Sequence, residues 1–467
     1  MLHVVIIGGG ITGLTAAWEI AKRGLTPLVL ERSPRVGGLL LTERTGGFVI
    51  EAGPDSVLAQ KPAALDLCRE LGLADRLIET RPPGGAFVLR GRRLYPLPSP
   101  SVLGLPLTWR ALASYDLLPW SARLRIAAEP LVPRRAGPDD ESVGAFFRRR
   151  FGQASVDLIA QPLLGGIHAG DVERLSMASL FPRLLEAERQ YGSVLRGWRR
   201  LRGRSSSGSA FRALRGGMDD LAAALAARLG DAVRTGARAT RLDAIDGSWR
   251  VVVGERETVT ARAVIIAAPA SEAARLLSTV DREAADLCAE VPYVSTVSVA
   301  LAYPREAITH PLEGTGFVVA RRHSQVRITA CTWVSSKWEA RAPEGFVLLR
   351  AFAGGAHDPG VLDLTDEELS AIVQRDLGSV LGISGAPSLS RVYRWPRAGA
   401  QHTVGQLARV EEIERRLAAH PGIVVAGSGF RAVGIPDCVS DARAAAAKAA
   451  AMVPRDGVPT SSSSSSA

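Results

Sequence analysis

Lysine and cysteine are the scarce residues of this 467-residue chain. Only Lys22, Lys61, Lys337 and Lys448 stand among 57 basic residues, so the other 53 are Arg. The four cysteines, Cys68, Cys288, Cys331 and Cys438, lie far apart without a C-x-x-C pair. That spacing speaks against a zinc ribbon, an iron–sulfur cluster and a disulfide framework, and it fits a reducing cytoplasm. No run of eighteen apolar residues is free of Pro, Arg or a glycine cluster, so no membrane-spanning helix is expected. The first apolar stretch lacks a charged leader and is broken by glycines, so no secretory signal is expected either. The net charge of +10 is scattered among acids instead of gathered on one face or tail, which argues against nucleic-acid binding. An anionic small molecule or an anionic membrane surface remains compatible with it.

Hydrophobic residues at 46% and charged residues at 22% are globular values, and the length suggests two or three domains. The chain opens as strand, glycine turn, helix and strand: His3–Ile7, Gly8–Gly13, Ile11–Arg23 and Leu25–Leu30, the start of a parallel α/β sheet. Apolar runs at Ala263–Ala268 and Gly422–Ala426, the second followed by an alanine-rich helix over Asp437–Met452, imply a discontinuous domain if they join that sheet. From Tyr95 to Pro138 the pattern is amphipathic, with no strands expected, and helical periodicity continues through Phe146–Gln161. Strand patterns return at Ser295–Ala302, Gly316–Ala320, Val326–Trp333 and Phe346–Phe352, which suits a largely antiparallel sheet. The expected fold is therefore α/β plus α+β, in three units. A discontinuous Rossmann-like nucleotide domain spans 1–91, 206–290 and 420–453; a helical insertion spans 92–205; a strand-rich substrate domain spans 291–419. A mobile loop is expected at Gly203–Ser209 and a disordered tail over 454–467.

Gly8-Gly9-Gly10-Ile11-Thr12-Gly13 satisfies G-x-G-x-x-G. Gly8 permits the tight turn, Gly10 lets a pyrophosphate approach the backbone, and Gly13 lets helix and strand pack closely. Glu31 stands 18 residues after Gly13 at the end of the next strand, placed to accept hydrogen bonds from a ribose. Glu31-Arg32-x-x-Arg35-x-Gly37-Gly38 adds a second glycine pair that resembles the signature of flavoproteins with two dinucleotide-binding domains. No second G-x-G-x-x-G occurs, so no nicotinamide site is expected beside a flavin. At the far end, Gly427-Ser428-Gly429 and Val433-Gly434-Ile435-Pro436-Asp437-Cys438 form a strand-to-helix connection, with Pro436 near the first helical turn and Asp437 a plausible cap.

Further stretches, namely Glu51–Ser56, Gln161–Asp171 followed by Leu175-Ser176, Gly216-Gly217-Met218 and Val433–Cys438, resemble the porphyrinogen oxidases of haem synthesis, the protoporphyrinogen and coproporphyrinogen III oxidase family. The resemblance runs from about residue 3 to 450. The Gly-Ile-x-Ala-Gly-Asp segment is its most specific part, and Gly314–Phe317, Ile328–Trp333 and Lys337-Trp338 are similar to the bacterial coproporphyrinogen branch. It implies FAD contacts from Gly8, Gly9, Gly10, Ile11, Thr12, Gly13, Glu31, Arg32, Gly37, Gly38, Gly53, Pro54, Asp55, Ser56, Ala239, Trp395, Val433, Gly434 and Ile435. It also implies substrate contacts from Gly166, Ile167, Thr315, Phe317 and Val318. The sequence departs from the family at Gln161, where Glu is common, and at Gly399–His402 after Trp395.

The implied reaction is the six-electron oxidation of coproporphyrinogen III to coproporphyrin III, with oxygen as acceptor. It removes hydride from saturated bridge carbons to flavin N5 and asks little of acid–base side chains, so no catalytic acid, base or metal is expected. Protoporphyrinogen IX stays open as the substrate, and a flavin amine oxidase or a protein like the GDP-dissociation inhibitors stays open as the class. A peripheral contact with the inner face of the cell membrane and a homodimer also stay open. Lys61 could meet a substrate propionate or be a solvated lysine. His168 reads as a surface or hydrogen-bonded turn residue ahead of a proton carrier. Cys331 reads as wall or core ahead of redox chemistry, and Arg148–Arg150 as a solvated helix face.

Overall fold

The computed structural model describes residues 2–135, 137, 139–201 and 209–453. The tail from residue 454, and all of the 203–209 loop except Ser209, lie outside the described residues. The chain begins with β1 (Leu2–Ile7), α1 (Ile11–Lys22) and β2 (Pro27–Leu30). β1 is apolar without alternation because both of its faces are covered: Val4, Val5 and Ile6 expose no surface. It pairs in parallel with β2 on one side and with Glu257–Ile266 on the other. That strand carries most of the expected 263–268 run and pairs in parallel with Ile423–Val425. Three widely separated segments thus share one seven-stranded sheet, completed by Val233–Arg234 and an antiparallel pair, Ala239–Ile245 and Ser248–Val253. Ala16 and Ala17 of α1 and Ala442, Ala445 and Ala446 of the helix Ile435–Ala451 lie in one buried cluster. Small side chains there let the two helices approach closely.

A second seven-stranded sheet runs in the order Leu389–Ala400, Tyr293–Pro304, Phe346–Gly354, Ala330–Trp333, Gly316–Val319, Phe87–Arg90 and Arg93–Pro96. It is antiparallel except where Gly316–Val319 meets Phe87–Arg90. Three sequence expectations are corrected here. The 91/92 border falls inside the hairpin Phe87–Pro96, whose strands belong to this second sheet, and Ser101–Val102 pairs with Leu105–Pro106 in a stretch expected to lack strands. Prolines at 96, 98, 100 and 106 had masked the alternation. The strand expected from Val326 begins only at Ala330, because the amides of Arg327 and Ile328 donate to the Asp376 carboxylate instead of a ladder.

Between the sheets in sequence lie Trp109–Ala113, Trp120–Ala127, Val143–Phe151, Pro182–Tyr191 and Val194–Leu201. They enclose their own core around Phe146, Phe147 and Phe151. Of the Arg148–Arg150 run only Arg148 is solvated. Arg150 is wholly buried against Glu129, and Arg149 bridges Glu141 and Glu188, each at 2.7 Å. Acids hidden at 129, 141 and 188 explain the difference, since a buried guanidinium needs paired carboxylates. Val156–Gly165 is π-helical with Pro162 inside it. Such widened turns occur at functional sites, and this one delivers the chain to Gly166.

Candidate active site

The glycine turn between β1 and α1 has the shape the spacing demands. Gly8 has φ 112°, and a side chain on it would meet the Ala267 carbonyl oxygen at 2.5 Å; one on Gly13 would meet the Gly8 carbonyl oxygen at 1.8 Å. Gly10 differs, because nothing lies within 4 Å of the place its Cβ would take. The first two glycines serve packing, and the third keeps open space at the helix N-terminus where a phosphate fits. The second glycine pair is brought onto this turn: the Gly37 amide donates to the Gly9 carbonyl at 2.8 Å, and a Cβ on Gly38 would lie 3.2 Å from Gly10 Cα. Glu31, nearly buried at the end of β2, accepts from the Gly9 and Ser33 amides, both at 2.7 Å. Those two bonds fix its carboxylate and leave lone pairs for a ribose. Arg32 instead turns outward to Glu272 at 3.0 Å.

The helix Ile435–Ala451 starts beside α1. The Gly427 amide donates to Asp441 at 2.7 Å, and a Cβ on Gly427 would lie 3.3 Å from Thr12 Oγ1. Gly434 caps the helix, with its amide 3.3 Å from Asp437 Oδ2. Two helix N-termini therefore lie together, a setting that favours negative charge.

Segment 51–56 crosses in front of the second sheet, and that sheet satisfies its carbonyls. Arg350 donates to the Glu51 and Gly53 carbonyls, the latter at 2.8 Å. The Trp395 indole and the Ser298 hydroxyl donate to the Ala52 carbonyl at 2.9 and 3.0 Å. Lys337 pairs with Asp55 at 2.9 Å. Sequence reading had named Trp395 and Asp55 but missed Ser298 and Arg350. The signal for Arg350 was a lone cation in the apolar run Phe346–Gly354. Ala239 is buried at the start of its strand, and its carbonyl accepts from Arg275 at 2.6 Å.

Gly166, Ile167 and His168 form a single helical turn closed by Ala169 at φ 49°. Side chains stake this turn from behind. The Gln161 amide donates to the Gly170 carbonyl at 3.0 Å and accepts from the Val172 amide at 3.1 Å, while Gln401 donates to the His168 carbonyl at 2.9 Å. Both glutamines were noted in the sequence only as departures from a pattern. Ile167 is 70% exposed, a large apolar side chain left open. His168 is half-buried and edge-on to Phe181. Burial, with His402 and Lys61 nearby, pushes its imidazole down to about 4. His402 lies between the Ser179 hydroxyl, at 2.8 Å, and the Ser428 carbonyl, at 2.9 Å. Lys61 is neither free nor simply solvated, since its ammonium pairs with Asp437.

The expectation that Thr315, Phe317 and Val318 line one pocket meets strand alternation. Phe317 is withdrawn into the second sheet's own core beside Trp333, whereas Val318 packs toward the helical unit. Thr315 donates its hydroxyl to the Gly85 carbonyl at 2.8 Å. Cys331 is buried in the same core as Phe317, and burial raises its thiol far above the ordinary value.

An open glycine cradle, a carboxylate fixed at the end of β2 and two adjacent helix N-termini fit a dinucleotide, in an α/β protein. The family described as flavin containing amine oxidoreductase matches residues 11–450, and the chain belongs to it. A flavin seated on a dinucleotide crossover is FAD, the cofactor of this chain. The coproporphyrinogen III oxidase of Bacillus subtilis (strain 168) is 38% identical over 463 residues, covering 96% of this chain and 97% of the relative. The chloroplastic protoporphyrinogen oxidase 1 of Spinacia oleracea is 28% identical, covering 96% of this chain and 84% of the relative. A crystal structure from Exiguobacterium sp. 255-15 superposes with a TM-score of 0.85 at 31% identity, over 96% of this chain and 98% of that one. Among the described residues, no helix is long and apolar enough to cross a membrane.

Proposed function

We propose that the chain is an FAD-dependent oxidase that converts coproporphyrinogen III to coproporphyrin III, with dioxygen as the terminal acceptor. The observation that carries the reading is the staked turn Gly165–Asp171, which presents Gly166 and the exposed Ile167 in a chain related over nearly its whole length to a coproporphyrinogen III oxidase. Protoporphyrinogen IX is the second reading, favoured by the names of the chloroplastic relatives at 28–30% identity and of the Exiguobacterium structure at 31%.

In this reading the segments around 1–86, 209–290 and 420–453 form the nucleotide domain, with strands 87–96 reassigned to the substrate sheet. Gly8–Gly13, Glu31, Gly37, Gly38, Gly53–Ser56, Ala239, Trp395 and Val433–Ile435 hold FAD. Gly166, Ile167, Val318, Thr315 and Lys61 face the macrocycle, and Phe317 backs that wall.

Bound FAD supplies the two-electron acceptor for hydride leaving a bridge carbon. The chain's part is placement. Backbone at Gly166 and the Ile167 side chain offer an apolar floor, and excluding water there favours a fixed approach of the bridge carbon. No side chain is assigned as acid or base, because a pyrrole N–H proton can leave to water. Three electron pairs leave per porphyrin, and dioxygen as acceptor would yield one peroxide per pair.

Peripheral membrane contact belongs to the same reading. Trp109, Trp120, Leu124 and Leu131 of the helical unit are 63–82% exposed. Residues 92–205 hold 18 Arg against 10 acidic residues, a combination suited to an anionic lipid surface.

The test is anaerobic addition of each porphyrinogen to purified protein, following flavin bleaching and then porphyrin fluorescence when air is readmitted. Faster bleaching by coproporphyrinogen III is expected. Equal or faster bleaching by protoporphyrinogen IX would overturn the substrate assignment, and amine turnover without either would overturn the class of reaction.

A further inference from the structure

In a chain that uses arginine almost everywhere, Lys337 is the most enclosed of the four lysines, with 12% of its side chain exposed. It ends the short helix Val334–Lys337 that follows strand Ala330–Trp333 of the second sheet. Its ammonium lies 2.9 Å from Asp55 Oδ2, 5.0 Å from the centre of the Trp338 ring and 5.4 Å from that of Phe211. Asp55 also accepts from the Ser56 hydroxyl at 2.8 Å and the Trp338 indole at 3.4 Å. Burial alone would raise the Asp55 carboxyl, but Lys337 and Arg350 hold it well below the ordinary carboxylate range. The pair sits in a partly desolvated place, with the Lys337 and Asp55 side chains 12% and 15% exposed. A compact ammonium fits between two rings and a carboxylate in a way that a planar guanidinium does not.

We infer that Lys337 is a positioning residue for the turn Gly53–Ser56: clamped by Phe211 and Trp338, it fixes the Asp55 carboxylate and balances its charge beside the cofactor. The inference rests on the reading that this turn faces FAD. It ties the substrate sheet to the nucleotide side through one ion pair between residues 282 positions apart.

A pair that merely held the fold together would respond in the same way to loss of either partner. A charge balance beside a redox centre responds with opposite signs, because reduction adds negative charge that a carboxylate deprived of Lys337, with Arg350 alone remaining near it, opposes and an ammonium deprived of Asp55 favours. In the FAD-loaded full chain, Lys337→Met is expected to lower the flavin midpoint potential and Asp55→Asn to raise it. The double variant should return close to the parent value, and FAD should bind at least tenfold more weakly to Lys337→Met than to the parent. Potentials that move in the same direction, or do not move, overturn the inference. If Lys337→Met does not fold, Asp55→Asn decides alone: a raised potential supports the pair's role, and an unchanged or lowered one overturns it. A parent protein that binds no FAD overturns this inference together with the cofactor assignment, so the two failures are told apart by the parent's colour.

Discussion

The Lys61 ammonium lies 2.7 Å from the Asp437 carboxylate, joining the segment after the Gly53–Ser56 turn to the first turn of the helix Ile435–Ala451 across 376 positions of sequence. The lysine side chain remains 42% exposed, so it is anchored at one side and open at the other. An exposed pair of this kind contributes at most about 1 kcal/mol. Lys61→Met is therefore expected to fold and to bind FAD normally. If the open side of Lys61 receives a propionate, its KM for coproporphyrinogen III rises about tenfold, the equivalent of roughly 1.4 kcal/mol, with kcat little changed. Steady-state kinetics check this, and a fall in kcat at constant KM would remove Lys61 from the propionate role.

Gly10 and Gly13 belong to one motif but are expected to fail differently. Gly10→Val places its Cβ where no atom outside the neighbouring residues lies within 4 Å, so its melting temperature without cofactor should stay close to the parent value while FAD affinity falls at least a hundredfold. Gly13→Ala sets a methyl 1.8 Å from the Gly8 carbonyl oxygen and must displace backbone, costing about 3 kcal/mol or more by overpacking. Calorimetry of the stripped proteins and FAD titration separate the two. Normal flavin occupancy in Gly10→Val would count against the phosphate assignment.

The first crossover was legible in the sequence because its rules are local: a buried parallel strand reads as an apolar run, and a helix opened by glycines reads as a turn. The same apolar pattern marked strands 257–266 and 423–425 as candidates for that sheet, and both join it. What stayed hidden depends on partners distant in sequence. Nothing around Arg150 announces Glu129, and nothing around Asp55 announces Lys337, so a run of three arginines looked solvated. Phe317 shows the reverse error, in which a resemblance placed neighbours in one pocket although strand geometry puts them on opposite faces.

The Arg150–Glu129 pair, fully buried and shared with the Ser193 hydroxyl and the Val194 amide, should dominate the stability of the helical unit. Glu129→Gln leaves the buried guanidinium with only Glu188, at 3.5 Å, as its counter-charge and is expected to cost about 3 kcal/mol. Arg149→Gln, on the partly exposed neighbour, should cost about 1 kcal/mol. Urea unfolding compares the two, and equal losses would show that the buried pair is not special.

Acid should reveal the histidines in and beside the staked turn. His168 titrates near 4 in the folded chain, and burial lowers His402 as well. Unfolded histidine takes up its proton near pH 6.5. Below that value the unfolded state binds protons that the folded state refuses, so this contribution is fully present above about pH 6.5 and is lost as the pH falls toward 4. The charges facing His168 are Lys61 and His402, with Asp437 near His402; the partly exposed site limits the loss from His168 to about 3 kcal/mol at most. His168→Phe preserves a ring against Phe181 and removes the titration. Urea midpoints at pH 7, 6, 5 and 4.5 should fall less steeply in this variant than in the parent, and parallel curves would mean that the imidazole is as free to protonate in the folded chain as in the unfolded one.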